Sequence, residues 1–299
     1  MNNPPVERRL YAGTEVALCK YAECDSTNDL AARLLHDEQW CAAHGIPDTM
    51  PVVVCAAAQS KGRGRRGKEW MGNAGENLYM SVGIRSPRWT PHIADYQLLG
   101  CMAVRNALLS FVPDHHIALK YPNDIQLLVS DTTVNSSSTL LPSSMLRKVC
   151  GVLVETEFRG SDLSHVVCGI GVNVNQQKFT SQHLLNATSI RVATGSEVNL
   201  DNLLHLVLHN FFTLLNTSAD AVFEQWERSL HLTGKRICCE HSGVSESDTP
   251  SSTMHRVVRV ERDGTLCVKD ISDSSEASTE HILSPQVMSF RVCSDDNQC

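Results

Sequence analysis

Long apolar runs are missing from this chain: nothing in it approaches the roughly 18 consecutive apolar residues that a membrane-spanning helix requires. With 42% hydrophobic and 20% charged residues, the composition is that of a soluble globular protein, and no membrane partner is expected. Positive charge is also short, with 26 Lys and Arg against 33 Asp and Glu, a formal net charge of −7 and a pI near 6.0. Tight binding to long nucleic acid needs many cations to displace counterions, so DNA is not an expected partner and any basic patch must be local. The twelve cysteines include no CxxC pair. Scattered in this way they read as reduced thiols, and Cys55, Cys150 and Cys168 lie in apolar runs where a thiol behaves as a small hydrophobe. The opening MNNPPVERRLYAGTEV has neither an apolar h-region nor a small-residue cleavage site, so the expected location is cytoplasmic.

A chain of 299 residues exceeds one typical domain, which suggests one large domain with a small companion. Strand-type runs stand at 52–58 (VVVCAAA), 77–84 (NLYMSVGI), 148–158 (KVCGVLVETEF) and 165–175 (HVVCGIGVNVN). Helical spacing separates them. Asp25, Ser26 and Thr27 are cap-forming residues that precede Leu30, Leu34 and Leu35 on one helix face. A second helix is expected over about 93–111. A third, capped by Asp201, would carry the stripe Leu203, Val207, Phe211 and Leu215, and a fourth over 219–230 repeats the pattern with Val222, Phe223, Trp226 and Leu230. This mixture predicts an α+β fold, a sheet covered by helices, over residues 1–230. Beyond residue 231 only short strands are expected, at 236–240, 257–261, 265–270 and 287–292, so residues 231–299 read as a small β domain. Arg262-Asp263-Gly264 between two of these strands predicts a hairpin turn. Segments 241–253 and 272–279, rich in Ser, Thr and Asp, read as exposed loops, and 130–144 reads as a loop insertion between strands.

The densest chemical signal is AQSKGRGRRGKEW at 58–70, which follows a buried-type strand and has no apolar periodicity. Gly62, Gly64 and Gly67 allow the backbone to bring N–H groups close to a ligand, while Arg63, Arg65 and Arg66 supply forked donors for phosphate and carboxylate oxygens. An anion is the expected guest, although GRGRRG alone fits a solvated basic loop or a nucleic-acid patch equally well. Trp70 adds an aromatic plane on which a base can stack. The segment ALKYPNDI at 118–125 ends an apolar run with Lys120, suited to balancing charge on a reacting phosphate, and continues into a Pro-Asn-Asp turn. Read alone, Lys120 is more readily an ordinary surface lysine at a strand end. In CGIGVNVN at 168–175, Gly169 and Gly171 interrupt a strand otherwise suited to burial, a sign of close ligand approach or of a bulge. The period of two puts Asn173 and Asn175 on one face, where both amides can meet the same ligand.

In these strings the sequence resembles the biotin protein ligase family. DSTN at 25–28, GRGRRGKEW at 62–70, KYPND at 120–124, KVCGVLVE at 148–155 and GIGVNVN at 169–175 occur in the family's order and at comparable spacing, apart from 130–144. The resemblance is strong over about residues 15–230 and weaker beyond. It implies a catalytic domain like those of class II aminoacyl-tRNA synthetases and biotin ligases, a mixed sheet with helices, followed by a small C-terminal SH3-like β-barrel. It further implies that Ser26, Thr27, Asn28 and Gln59 hold the biotin head group. Gly62, Arg63, Gly64 and Arg65 would belong to a loop that orders over the biotin carboxylate and the adenylate phosphate, and Lys120 would contact both reacting groups. Arg66, Trp70, Asn123, Asn173 and Asn175 would complete the ATP site. The implied substrates are biotin and ATP with Mg²⁺, the implied catalytic residues Lys120 and Arg63, and the implied partner a biotin-carrier domain of a biotin-dependent carboxylase such as acetyl-CoA carboxylase. Two positions depart from the family pattern: Tyr121 stands where Trp is common and Glu69 where a basic residue is common. Only about 20 residues precede the first string, too few for the helix-turn-helix of bifunctional members, so a ligase without repressor activity is expected.

The nearest rival is a lipoate or other acyl-adenylate-forming ligase, and a more distant one is a nucleic-acid module built around the arginine loop. Asp124 is a candidate base for the acceptor lysine. His205 and His209, four apart on a helix, lack the Glu and third ligand of a zinc pair and read as packed or exposed helix histidines. Glu155, at the end of a buried-type strand, reads as structural or as a support to the site.

Overall fold

The computed structural model describes residues 4–85, 87, 94–129, 145–179, 186–240, 252–263, 265–271, 280–283 and 289–292. The expected insertion at 130–144, the loop at 272–279, Gly264 of the hairpin tripeptide and most of the loop at 241–253 lie outside them. The chain divides into two compact units, residues 1–222 and 223–299. The sequence reading puts the boundary at 230–231, where the helical pattern ends; the division falls instead inside the last helix.

In the first unit, strands β1 (Glu7–Tyr11), β2 (Thr14–Cys24), β3 (Val52–Gln59), β4 (Asn77–Arg85), β5 (Ile117–Lys120), β6 (Asp124–Leu128), β7 (Leu146–Arg159) and β8 (Asp162–Asn173) build one sheet in the order β1-β2-β3-β4-β8-β7-β6-β5. Only β2 and β3 pair parallel, so the sheet is mixed, as expected. Around it lie α1 (Thr27–His36), α2 (Glu38–Ala43), α3 (Ala94–Leu108), α4 (Ile190–Thr194) and α5 (Leu200–Leu215), and α6 (Ala219–Leu230) follows. Among the described residues no helix is long and apolar enough to cross a membrane.

Local chemistry explains the helix starts. Ser26 caps α1, its hydroxyl accepting from the Asp29 N–H, while neighbouring Asp25 pairs with Arg33 at 2.8 Å and is held down to a pKa of about 2 by that guanidinium. The cap of α5 is Asn199, not the expected Asp201: the Asn199 side chain accepts from the Asn202 N–H. Asp201 sits in the first turn and holds Lys20 of β2 at 2.8 Å.

Alternation along β8 decides which helix covers which face. Odd-numbered residues face α1, where Val167 joins Leu30, Ala31, Leu34 and Leu35 in one buried cluster with β2 and β3. Even-numbered residues face α3: a Cβ built on Gly100 of α3 would stand 2.9 Å from both Cys168 Sγ and Val152 Cγ1. Helix α3 in turn packs on α5, whose Phe211 and Phe212 are fully buried. His205 of α5 hydrogen-bonds Tyr11 through Nδ1 at 2.5 Å and stacks on its ring, and His209 is exposed, the packed and exposed alternatives expected from sequence. The ten described cysteines are all unpaired thiols, and burial pushes those of Cys19, Cys55 and Cys168 up to about 12.

In the second unit, β9 (Arg236–Glu240), β10 (Ser252–Val260), β11 (Leu266–Asp270), β12 (Glu280–Leu283) and β13 (Ser289–Val292) form an antiparallel sheet in the order β12-β11-β10-β9-β13. β10 and β11 make the expected hairpin, with the Asp263 carboxylate accepting from the Thr265 N–H at 2.8 Å. Strand β10 begins at Ser252, earlier than the expected loop at 241–253 allows.

Because Gly100 has no room for a side chain, Gly100→Val should cost about 1–3 kcal/mol through overpacking against Val152 and Cys168. A drop in the urea midpoint with an unchanged slope checks this; an unaltered midpoint contradicts the packing.

Candidate active site

The odd-numbered face of β7 and β8 is stripped of side chains where α1 gives way to the glycine-arginine loop. Gly151 and Gly171 are direct partners across the two strands, and the Trp70 indole lies on them. A Cβ on Gly171 would come within 2.6 Å of this ring and one on Gly151 within 2.9 Å, so both glycines are required by close approach. Lys148 stands over the same ring, its Nζ 5.1 Å from the centroid, and pairs with Asp124 Oδ1 at 2.7 Å. The Trp70 Nε1 is buried with no hydrogen-bond partner among the described residues.

Further along this face, a Cβ on Gly169 would strike Asn28 Oδ1 at 2.1 Å, so the missing side chain is what lets α1 set its first turn against the sheet. Ser26, Thr27 and Asn28 are all buried there. The Gln59 side-chain oxygen, at the end of β3, accepts from the Thr27 backbone N–H at 2.8 Å and from its hydroxyl at 3.1 Å. Ser81 of β4 lies 2.8 Å from Thr27 Oγ1 and 2.6 Å from Asn28 Oδ1, and Asn28 Nδ2 donates to Glu155 Oε2 at 2.6 Å. Thr27, Asn28 and Gln59, named from separate strings, are thus joined into one polar cluster through Ser81, and Ser26 lies buried beside them as the cap of α1.

The loop from Gly62 to Trp70 is a narrow excursion closed on itself: the Trp70 N–H donates to Gly62 O at 2.9 Å and the Gly64 N–H to Lys68 O at 2.6 Å. Its tip turns through a single 3₁₀ turn in which Arg66 has φ 55° and Gly67 φ 70°. Gly62 faces inward; a Cβ there would meet Trp70 O at 2.5 Å and Gln59 Nε2 at 3.0 Å. Arg63 is forked onto Asp29, with Nη2 to Oδ1 at 2.6 Å, and reaches Glu155 Oε1 at 3.0 Å. Asp29 first, and then Glu155, hold its guanidinium well above the usual arginine range. Arg65 donates to Asn123 Oδ1 at 3.1 Å, and burial together with Arg66 lowers its pKa.

That last contact brings the second string into the site. Asn123 also donates to Val152 O at 3.0 Å and accepts the Val152 N–H through its own carbonyl at 3.0 Å, fastening the turn after β5 to β7. The turn contains a cis Tyr121–Pro122 bond. Lys120 ends β5 exposed, paired across the turn with Asp124 in register and without an ion pair among the described residues. The third string splits. Asn173 ends β8 and donates to Thr188 O at 3.0 Å. Asn175 lies beyond the strand, so alternation does not carry to it, and both ends of its amide are taken by the Val198 backbone, at 2.8 and 2.9 Å.

Sequence reasoning missed Asp29, Ser81 and Lys148, and gave Glu155 only a supporting place. Asp29 has a local signal, an acid in the first turn of a capped helix. Lys148 lies inside the string KVCGVLVE, but its reach over Trp70 depends on a partner 78 residues away in sequence, counted as 148 less 70.

Known proteins resemble this chain in sequence and in fold. A family model described as the biotin/lipoate A/B protein ligase family matches residues 45–173. A biotin–acetyl-CoA-carboxylase ligase of Paracoccus denitrificans is 30% identical over 194 residues, which are 64% of this chain and 69% of that protein. A bifunctional ligase/repressor of Escherichia coli (strain K12) is 28% identical over 146 residues, but this chain spans only 39% of its length. Among solved structures, a biotin protein ligase from Aquifex aeolicus in complex with biotin and ATP shares the fold, with a TM-score of 0.62 and 21% identity over 92% of this chain and 99% of that one. The ligase from Leishmania major in complex with biotinyl-5-AMP shares it too, with a TM-score of 0.54 and 19% identity over 89% and 98% of the two chains. By its identity to the Paracoccus relative, the chain belongs to the biotin protein ligase family.

Proposed function

We propose that this chain activates biotin with ATP to biotinyl-5′-AMP and then transfers the biotin to a lysine on the carrier domain of a biotin-dependent carboxylase, in keeping with the name of the Paracoccus relative. The observation that carries this reading is the Arg65–Asn123 hydrogen bond, which places the glycine-arginine loop beside the turn that Lys120 opens. In this reading, cations from two distant strings serve one space. The polar cluster of Thr27, Asn28 and Gln59, with Ser26 beside it, is assigned to the biotin head group, and Trp70 on its glycine floor, with Asn123 and Asn173, to the nucleotide.

In the first step the biotin carboxylate attacks the α-phosphorus of ATP; a C–O–P bond forms and the bond to pyrophosphate breaks. Both reactants are anions, so fixed positive charge has to offset their repulsion. Lys120 and Arg65 supply it in this reading. Arg63 can join them only by leaving Asp29 and Glu155, and while it stays it anchors the start of the loop to α1 and β7. Magnesium enters as MgATP, carried by the nucleotide phosphates: Asp124 of the turn is held by Lys148, and the Asn175 amide is taken by the Val198 backbone. In the second step the acceptor amine attacks the acyl carbon and AMP leaves. The pairing with Lys148 makes Asp124 a positioning group for that lysine ahead of a base. Closure of the loop shields the mixed anhydride from water.

The family model also covers lipoate ligases, and labelled biotin, lipoate and octanoate offered with MgATP and a biotin-carrier domain separate the two. Biotin alone should reach the carrier, as read on a streptavidin blot and by label counting; transfer of lipoate in its place overturns the assignment. Lys120→Ala should lower biotin-dependent pyrophosphate release by about 10²–10³-fold, the usual size of a lost charge-stabilising group. Release near the unmodified rate would remove Lys120 from its role. Gly171→Ala should lift Trp70 off its floor and lower kcat/KM for ATP at least about tenfold, a shift of about 1.4 kcal/mol, with biotin binding in the absence of nucleotide changed less. Steady-state kinetics beside biotin titration reads both, and an unchanged ATP dependence would detach Trp70 from the nucleotide.

A further inference from the structure

At the far end of α1 from the polar cluster, three potential metal ligands meet that the reaction does not use. His36 is in the last turn of the helix, and Glu157 and His165 are direct partners across β7 and β8. Their ligand atoms all lie within 4.8 Å of one another. His36 Nε2 is 2.9 Å from Glu157 Oε2, and the His36 ring meets the His165 ring edge-on with centroids 4.8 Å apart. His165 is only 4% exposed, and its ring has no hydrogen-bond partner among the described residues. His165 is thus a mostly buried imidazole whose ligand nitrogen stands together with two further donor groups.

We propose that His36, Glu157 and His165 form a binding site for one divalent cation of the zinc class, outside the active site. Two imidazoles and a carboxylate are a donor set of that class, leaving a fourth position for water. With metal–ligand bonds of about 2.0–2.2 Å, tetrahedral ligands stand about 3.3–3.6 Å apart. The trio therefore has to draw together by little more than an ångström, which side-chain rotation of the half-exposed Glu157 and the partly exposed His36 supplies. Arg159 is near enough to act on both Glu157 and His165, and it is the opposing charge the cation has to tolerate.

The position gives the site a consequence. From Asn28 to His36 is eight residues of helix, about 12 Å, and from Gly169 to His165 is four residues of strand, about 13 Å. The helix therefore lies along β8, with Asn28 over Gly169 at one end and His36 against His165 at the other. A bound cation fastens the second end of a helix whose first end carries the polar cluster.

The test uses the full chain and Co²⁺ as probe, then Zn²⁺, because twelve cysteines offer rival ligands that cobalt spectra distinguish. One Co²⁺ per chain is expected, with weak d–d bands and no intense near-ultraviolet thiolate-to-cobalt absorption, and Zn²⁺ should displace it and raise the melting temperature. His36→Gln and Glu157→Gln, both at accessible positions, should each weaken binding at least about tenfold and shrink the thermal shift. His165→Gln should abolish binding, but it alters a buried residue, so the two accessible variants decide the matter. Absence of saturable binding, thiolate absorption on the bound cobalt, or unchanged affinity in both accessible variants overturns the site.

Discussion

The candidate site depends on the absence of side chains at three places on one sheet face. Gly151 and Gly171 allow an indole to lie flat against backbone, and Gly169 allows the first turn of α1 to approach so closely that Asn28 reaches both Ser81 and Glu155. A Cβ at any of them would stand under 3.0 Å from its neighbour, a distance that cannot be kept. Loop, helix and sheet are therefore fixed relative to one another by exclusion, and the hydrogen bonds of the polar cluster refine a geometry already imposed. The same face continues to Glu155, Glu157 and His165, so a single column of β7 and β8 holds the assigned nucleotide platform, the assigned biotin cluster and the proposed cation site in succession.

Charge is arranged with equal economy. Arg63 is held by Asp29 and Glu155, and Lys148 by Asp124. These pairs are partly exposed, so each is worth little in stability. In the proposed reading they hold cations beside the assigned site without leaving a cluster of like charges next to the polar cluster. Lys120, exposed and without an ion pair among the described residues, differs from the other two in being open to a new anion at no cost in broken pairs.

Much of this was legible in the sequence, and the part that was not has physical causes. The apolar runs at 77–84 and 165–175 are buried almost throughout and those at 52–58 and 148–158 in part, and all four announce themselves, as does the stripe of α6. Strand β2 (Thr14–Cys24) escaped because Glu15, Lys20 and Glu23 break its apolar pattern. Asp201 and Asn199 are both good caps, and only the backbone shows which one stands at the start of α5. Glycines in a strand gave the close approach at 169 and 171 but not what approaches, since Trp70 and Asn28 come from other parts of the chain. Asn175 shares a pattern with Asn173 yet not its surroundings, because β8 ends between them. The partners of Arg63 are 34 and 92 residues away, beyond any local rule.

The most direct measurement of the central claim is backbone amide hydrogen exchange, with and without biotin plus MgATP. If loop, turn and glycine floor form one site, residues 62–70, 120–124 and 169–173 should gain protection together, and biotin alone should protect chiefly the start of α1. Protection of the loop without the turn, or of neither, would contradict a shared site.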